Sequence, residues 1–150
     1  MKKGMILTLL CALFLTLCAC GGAAETPAEA EISDVGGGIN VTVLPAESSL
    51  YSEEDIDAAV EAVIEYFGQT SGFRGCTLTE IGYAGDDEAA FREWAENYDA
   101  DEAIVLISTF DVDETGGDGS LEANSTYSDW QWILVRDAGG DWRHVTHGYG

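Results

Sequence analysis

Apolar residues recur at helical spacing in two stretches of the chain. The first stretch begins at Ser52–Asp55, which has the form of a capping box, and ends at Gly68. Its apolar stripe consists of Ile56, Ala59, Val60, Val63, Ile64 and Phe67. The second begins at Asp86 or Asp87, either of which can cap it, and its apolar stripe consists of Phe91, Trp94, Ala95 and Tyr98. The pattern therefore predicts two amphipathic α-helices.

Four other stretches have the composition and spacing of β-strands. They are joined by Gly-rich segments and comprise Thr77–Tyr83, Ala103–Phe110, Trp130–Arg136 and Trp142–Tyr149. The order of the elements predicts an α+β domain over residues 50–150, with two helices packed on one face of a curved, mainly antiparallel sheet of about four strands. Ile39–Leu44 also alternates and is a candidate for a further strand at the sheet edge.

The N-terminal residues 1–19 have the pattern of a signal peptide. Two lysines precede the apolar run Gly4–Leu17, which is shorter than a membrane span. The segment Leu17–Gly21 resembles the lipobox of bacterial lipoproteins, with Ala19 before the cleavage point and Cys20 after it. This resemblance implies that Cys20 becomes the mature N-terminus and carries a diacylglyceryl thioether, with fatty acids such as palmitate. Two acyl chains are enough for stable anchoring in a membrane.

Residues 20–49 are rich in Ala, Glu, Gly and Pro, a composition that predicts a flexible acidic tether. Removal of the signal peptide and lipidation of Cys20 would leave Cys76 as the one thiol, so we expect no intrachain disulfide. We expect Cys76 to be a small, buried, apolar side chain rather than a nucleophile.

The charge of the chain excludes one class of partner. There are 28 acidic residues against 6 basic ones, a net charge of −22. Binding to phosphate backbones needs clustered Lys and Arg, which this chain lacks. We therefore exclude nucleic acid and expect the membrane, through the lipid on Cys20, to be one contact. The identity of any protein or small-molecule partner stays open.

Five segments of the domain carry a family resemblance: Tyr51–Ile56, Gly75–Glu80, Asp101–Leu106, Gly116–Ser120 and Trp130–Arg136. They resemble a family of small Gram-positive lipoproteins whose domain, spanning about residues 51–149 here, has no assigned function. The resemblance implies an extracytoplasmic location, at the surface of a Gram-positive cell. The layout is also similar to the NTF2-like, or cystatin-like, cone. NTF2-like domains include enzymes, ligand binders and assembly modules, so this similarity implies a fold and carries over no catalytic residue.

The segment Asp111–Glu122 matches an EF-hand loop at its positions 1, 3, 6 and 12. Oxygen ligands around a glycine turn suit Ca²⁺, and the leading ligands would be Asp111, Asp113 and Glu122. Thr115 and Asp118 depart from the EF-hand pattern, and the flanking segments have the pattern of strands. The alternatives are therefore a weak calcium site and a solvated hairpin loop.

The chain has two histidines, His144 and His147. Because they are three residues apart in a predicted strand, we expect them to point to opposite faces and not to share a metal ion. No nucleophile, base and orienting acid are selected by spacing, so we assign no catalytic residue.

The register of the terminal hairpin has two alternatives. A loop at Asp137–Gly140 would place Arg136 opposite Asp141 and His147 near Trp130, and we prefer it because it opposes unlike charges. A three-residue loop would instead place His144 beside Leu134.

Tryptophans are concentrated on this hairpin. They either form core packing beneath the helices or line a concave pocket for a neutral or cationic ligand. The candidate pocket residues are Trp130, Trp132, Arg136 and His144. We expect a non-catalytic ligand-binding or envelope-assembly module; the alternatives are a small enzyme that uses an NTF2-like pocket and a calcium-binding envelope module.

Overall fold

The structure, a computed structural model, describes residues 36–149. The expected signal peptide, the lipidation site Cys20 and the first part of the tether lie outside the described residues. Among the helices of the described range, none combines the length and the apolar character needed to span a bilayer.

Residues 36–149 form an α+β domain with two helices and a five-stranded sheet. The elements in chain order are β1 (Gly38–Val43), α1 (Glu53–Gln69), a 3-10 turn (Ser71–Phe73), β2 (Cys76–Tyr83), α2 (Glu88–Asn97), β3 (Glu102–Val112), β4 (Thr126–Arg136) and β5 (Arg143–Gly148). The strands lie in the order β1-β2-β3-β4-β5. Only β1 and β2 are parallel neighbours in this sheet, so a mainly antiparallel sheet is confirmed. The extra strand is β1, which lies within the range assigned to the tether.

Both helices begin where their capping residues predict. The Ser52 hydroxyl accepts a hydrogen bond from the Asp55 amide at 3.1 Å, and the Asp55 carboxylate accepts one from the Ser52 amide at 3.2 Å. Asp87, not Asp86, caps α2, because its carboxylate accepts a hydrogen bond from the Ala90 amide at 3.0 Å. These contacts satisfy amide groups that have no partner within the first helical turn.

The two helices lie on opposite faces of the sheet, so the prediction that both pack on one face is wrong. The first face, covered by α1, includes Leu78, Ile104, Leu106, Trp132 and Leu134. The second face, covered by α2, includes Ala103, Val105, Ile133 and Val135. The physical reason is that β3 and β4 contain continuous apolar runs, which are typical of strands buried on both faces.

β-Bulges in β2, β4 and β5 change which residues share a face. In each strand one residue has no counterpart on the neighbouring strand, so two residues that are three apart point to the same side. The resulting pairs are Leu78 with Ile81, Tyr127 with Trp130, and His144 with His147. The prediction that the two histidines point to opposite faces is therefore wrong.

The hairpin between β4 and β5 has the pairing that we did not prefer, although residues 137–142 join the two strands instead of a three-residue loop. Leu134 lies opposite His144, and beyond the bulge Trp132 lies opposite His147. The preferred register assumed that Arg136 needs an opposing charge on β5. Instead, Arg136 forms ion pairs with Asp55 of α1 and Glu102 of β3.

Candidate functional site

A cleft of about 180 Å³ lies at the end of the sheet where β4 and β5 place Trp130 and His147 side by side. Phe73, which follows α1, and Leu121, in the loop between β3 and β4, contribute apolar side chains to it. Asp118 and Ser120 of the same loop supply polar groups. We call this cleft the histidine cleft.

The two imidazoles form a close pair beside the cleft. His147 Nδ1 lies 3.1 Å from His144 Nε2, which is hydrogen-bond distance, so one ring donates and the other accepts. Aromatic side chains surround the pair: the Tyr66 ring centroid lies 4.0 Å from that of His144, and the Trp132 centroid lies 5.0 Å from that of His147.

Burial controls the charge of this pair. Burial first, and then the neighbouring His147, lower the pKa of His144 to about 4. Burial also lowers the pKa of His147 from its usual value. Removal from water disfavours the charged form of an imidazole, so both rings are neutral near pH 7.

Trp130, which lines the cleft, has an unsatisfied hydrogen-bond donor. Its Nε1 is buried, and the described residues offer it no hydrogen-bond partner. The other two indoles of the hairpin are satisfied, because Trp132 donates to the Ser108 hydroxyl at 2.8 Å and Trp142 donates to the Asp55 carbonyl at 2.9 Å. A buried N–H without an acceptor costs about 1–3 kcal/mol, and a water or ligand that supplies an acceptor removes that cost.

The loop between β3 and β4 forms the rim of the cleft. The Asp118 carboxylate accepts a hydrogen bond from the Ser120 amide at 3.1 Å. Hydrogen bonds from the side chain and the backbone of Ser120 hold the pKa of Asp118 below its usual value, so this carboxylate is charged at neutral pH. Gly117 has a φ of 66° and packs so closely that a Cβ would lie 2.5 Å from the Gly72 carbonyl oxygen. Glycine is therefore required where the rim meets the end of α1.

The four predicted pocket residues are brought together only in part. Trp130 and His144 lie at or beside the histidine cleft, whereas Trp132 is completely buried and fills the core beneath it. Arg136 shares the face of Trp130 but lies six residues further along β4, which corresponds to roughly 20 Å. It belongs to a separate, open cleft of about 400 Å³ between α1 and the β4–β5 turn.

Most residues that line the histidine cleft were missed as site residues. Phe73 and Leu121 come from segments distant in sequence, and no local pattern indicates that they meet Trp130. Asp118 was noted only as a departure from the EF-hand pattern. The preferred register did place His147 near Trp130, and their ring centroids lie 5.8 Å apart, although the strand pairing differs.

Two of the three predicted calcium ligands, Asp111 and Asp113, accept hydrogen bonds through their carboxylates. Asp111 accepts one from the Thr126 hydroxyl at 2.6 Å, and Asp113 accepts two from Thr115, at 2.6 and 2.7 Å. The Glu122 amide donates to the Tyr127 hydroxyl at 3.0 Å. Within residues 36–149, no three His, Cys, Asp or Glu side chains gather as a metal-binding group. Calcium binding by this loop stays a prediction.

Cys76 is buried and unpaired, as expected. Burial, followed by the charges of Asp113 and Asp118, raises the pKa of its thiol to about 11. The thiolate needed for nucleophilic attack is therefore scarce at neutral pH.

Comparison of the chain with models of known protein families, with curated proteins and with solved structures finds no match.

Proposed function

We propose that this chain is a membrane-anchored extracytoplasmic lipoprotein whose domain binds a small organic cation in the histidine cleft and catalyses no reaction. The observation that carries this proposal is the buried, unpartnered Nε1 of Trp130, a residue that lines a cleft together with a charged carboxylate. A ligand with an ammonium group and an oxygen acceptor would satisfy both groups.

The walls of the cleft favour a positive charge. Trp130 and Phe73 line the cleft with aromatic rings, and the faces of such rings attract ammonium groups through their quadrupoles. Asp118 adds a negative charge, and the imidazole of His147 is neutral near pH 7. The net charge of −22 also draws cations towards the protein. These features narrow the earlier expectation of a neutral or cationic ligand to the cationic class.

Choline and its neutral isostere 3,3-dimethylbutan-1-ol test the ligand class in the full chain. Both carry a hydroxyl oxygen, but only choline is charged. We expect choline to shift the Trp130 indole N–H resonance and to bind at least about tenfold more tightly than the alcohol. An unchanged Trp130 resonance in millimolar choline would overturn the proposal.

Two variants separate the contributions to this binding. Trp130→Phe keeps an aromatic face but removes the N–H, so it should weaken both probes. Asp118→Asn removes the negative charge with little change in shape, so it should weaken choline and leave the alcohol unaffected. Equal effects of Asp118→Asn on the two probes would show that the carboxylate does not select the cation.

The proposed anchor has its own test. Cys20→Ser removes the thiol that would carry the lipid, so the variant should leave the membrane fraction of cells that express it. If Cys20→Ser stays in the membrane fraction, the proposed anchor is wrong, whereas the proposed ligand site is not affected by this result.

The proposal does not depend on the NTF2-like fold assignment or on the enzyme alternative. The resemblance to Gram-positive lipoproteins and to the NTF2-like cone stays a prediction. The enzyme alternative also stays a prediction, and we assign it no catalytic residue.

A further inference from the structure

The bulge in β5 places the two histidine side chains on the same face of the sheet, which regular alternation along a strand would not allow. Leu134 and Trp132, which are two residues apart on β4, lie opposite His144 and His147 and so fix both imidazoles on one face. Val145, between them, is the residue left without a counterpart on β4. The hairpin therefore holds two imidazoles side by side on a rigid sheet.

The distance between the facing nitrogens fits a shared metal ion. Two nitrogen ligands about 2.0–2.1 Å from a zinc ion lie roughly 3.3 Å apart in tetrahedral geometry and about 2.9 Å apart at a right angle. The observed separation of His144 Nε2 and His147 Nδ1 is 3.1 Å, between these two values. The distance therefore fits two ligands of one ion, and each ring would turn so that its lone pair points at the metal rather than at the other nitrogen.

We propose that His144 Nε2 and His147 Nδ1 chelate a divalent transition-metal ion of the imidazole-preferring class, such as Zn²⁺, at the edge of the histidine cleft. His147 lines the cleft, so the ion has a path from solvent and its remaining positions can hold water. Imidazole nitrogen suits Zn²⁺, Cu²⁺ and Ni²⁺ but not Mg²⁺ or Ca²⁺. Asp118 in the same cleft makes the local field attractive to a cation.

The protons balance without a net release. In the metal-free pair, the ring that donates carries a proton on its facing nitrogen. On metal binding that proton moves to the other nitrogen of the same ring, so both facing nitrogens present lone pairs. The neutral pair therefore binds the metal without releasing a proton.

The composition of the chain makes the proposal directly testable. The full chain contains two histidines, so without a histidine tag every imidazole signal comes from this pair. We would titrate the ¹⁵N-labelled full chain with Zn²⁺ and record the imidazole ¹H–¹⁵N correlations. Zinc bound by cysteines elsewhere would leave these signals unchanged. We expect both rings to shift together and to saturate at one ion per pair.

Three comparisons decide the result. Mg²⁺ at the same concentration should leave both rings unchanged, which controls for the acidic surface. His144→Gln and His147→Gln should each weaken zinc binding at the remaining ring by at least about tenfold, because the second ligand is lost. No response to zinc, a response of one ring alone, or an equal response to Mg²⁺ would overturn the proposal. The wild-type titration is sufficient if a variant fails to fold, and it is independent of the choline result.

Discussion

On the face of the sheet covered by α1, the polar groups at the two ends of β4 differ in whether they have hydrogen-bond partners. At the Arg136 end, the guanidinium forms an ion pair with Asp55 at 2.6 Å and another with Glu102, and it lies 4.2 Å from the centroid of the Trp142 ring. At the Trp130 end, the buried indole N–H has no partner among the described residues. The difference is that the polar groups at the Arg136 end are paired within the fold, whereas the Trp130 end has an unused donor, which we propose serves a ligand.

The charge states of the two ends differ in the same way. Hydrogen bonds from Ser52 and then from Arg136 hold the pKa of Asp55 below its usual value, so the ion pair persists at neutral pH. Burial alone would lower the pKa of Arg136, but its hydrogen bonds to Asp55 and Glu102 raise it. At the other end burial keeps both histidines neutral. The Arg136 end therefore contains charged, paired side chains, whereas the imidazole pair at the other end is neutral.

Replacing Arg136 should give the largest loss of stability. Arg136→Met leaves Asp55 and Glu102 without their partner, and we expect the free energy of unfolding to fall by about 3 kcal/mol in denaturant titrations. The side chain of Arg136 is 13% exposed, whereas that of Arg92, paired with Glu88 on α2, is 63% exposed. Arg92→Met is therefore the matched control and should change stability by less than about 0.5 kcal/mol. Similar losses of stability in the two variants would contradict the proposed difference between the two ends of β4.

The two neighbouring tryptophans offer the next test. Trp132→Phe leaves a void in a fully buried site and removes the donor to the buried Ser108 hydroxyl, so we expect a loss of about 2 kcal/mol. Trp130→Phe removes an N–H that has no partner in the described chain, so its cost should stay below about 1 kcal/mol. Chemical denaturation of both variants checks this order. A larger loss for Trp130→Phe would mean that its N–H is satisfied in solution.

Local signals account for most of the elements but not for the histidine cleft. The capping box at Ser52 and the apolar stripe that follows it predict α1 well, because both depend on neighbours within one or two turns. The continuous run Ala103–Leu106 already indicated a strand covered on both faces, and it could have prevented the one-face prediction.

The bulges could not be predicted, because they depend on how two strands pair. Nothing in the segment Arg143–Gly148 indicates that Val145 lacks a counterpart on β4. A single bulge moves His147 to the other face of the sheet, so an alternation argument gives the wrong side for every residue beyond it. The least predictable part of the candidate site was therefore the strand that carries its two histidines.

The pH dependence of stability gives a smaller effect that belongs to the histidine end. An unfolded histidine has a pKa near 6.5, whereas that of His144 in the fold is about 4. As pH falls through this window the unfolded chain takes up protons first, so stability is complete above about pH 6.5 and is lost towards pH 4. Allowing for the exposed part of the rings, we expect a loss of about 1 kcal/mol between pH 7 and 5.

The double variant His144→Gln with His147→Gln isolates this contribution. Measured with a chelator present, its stability should change less between pH 7 and 5 than that of the parent chain. The carboxylates of Asp55 and Asp118 do not obscure the window, because their pKa values lie below the usual range for aspartate and they titrate at lower pH. An identical slope in the two proteins would show that the imidazoles are not buried as described.

The most direct test of the account is the scalar coupling between His147 Nδ1 and His144 Nε2 across their hydrogen bond, measured by NMR on the metal-free, ¹⁵N-labelled chain. The bulge at Val145 places these nitrogens 3.1 Å apart on the cleft side of the sheet, so we predict a resolved coupling between the two rings. Absence of the coupling, with nuclear Overhauser effects that place the rings on opposite faces, would contradict the account.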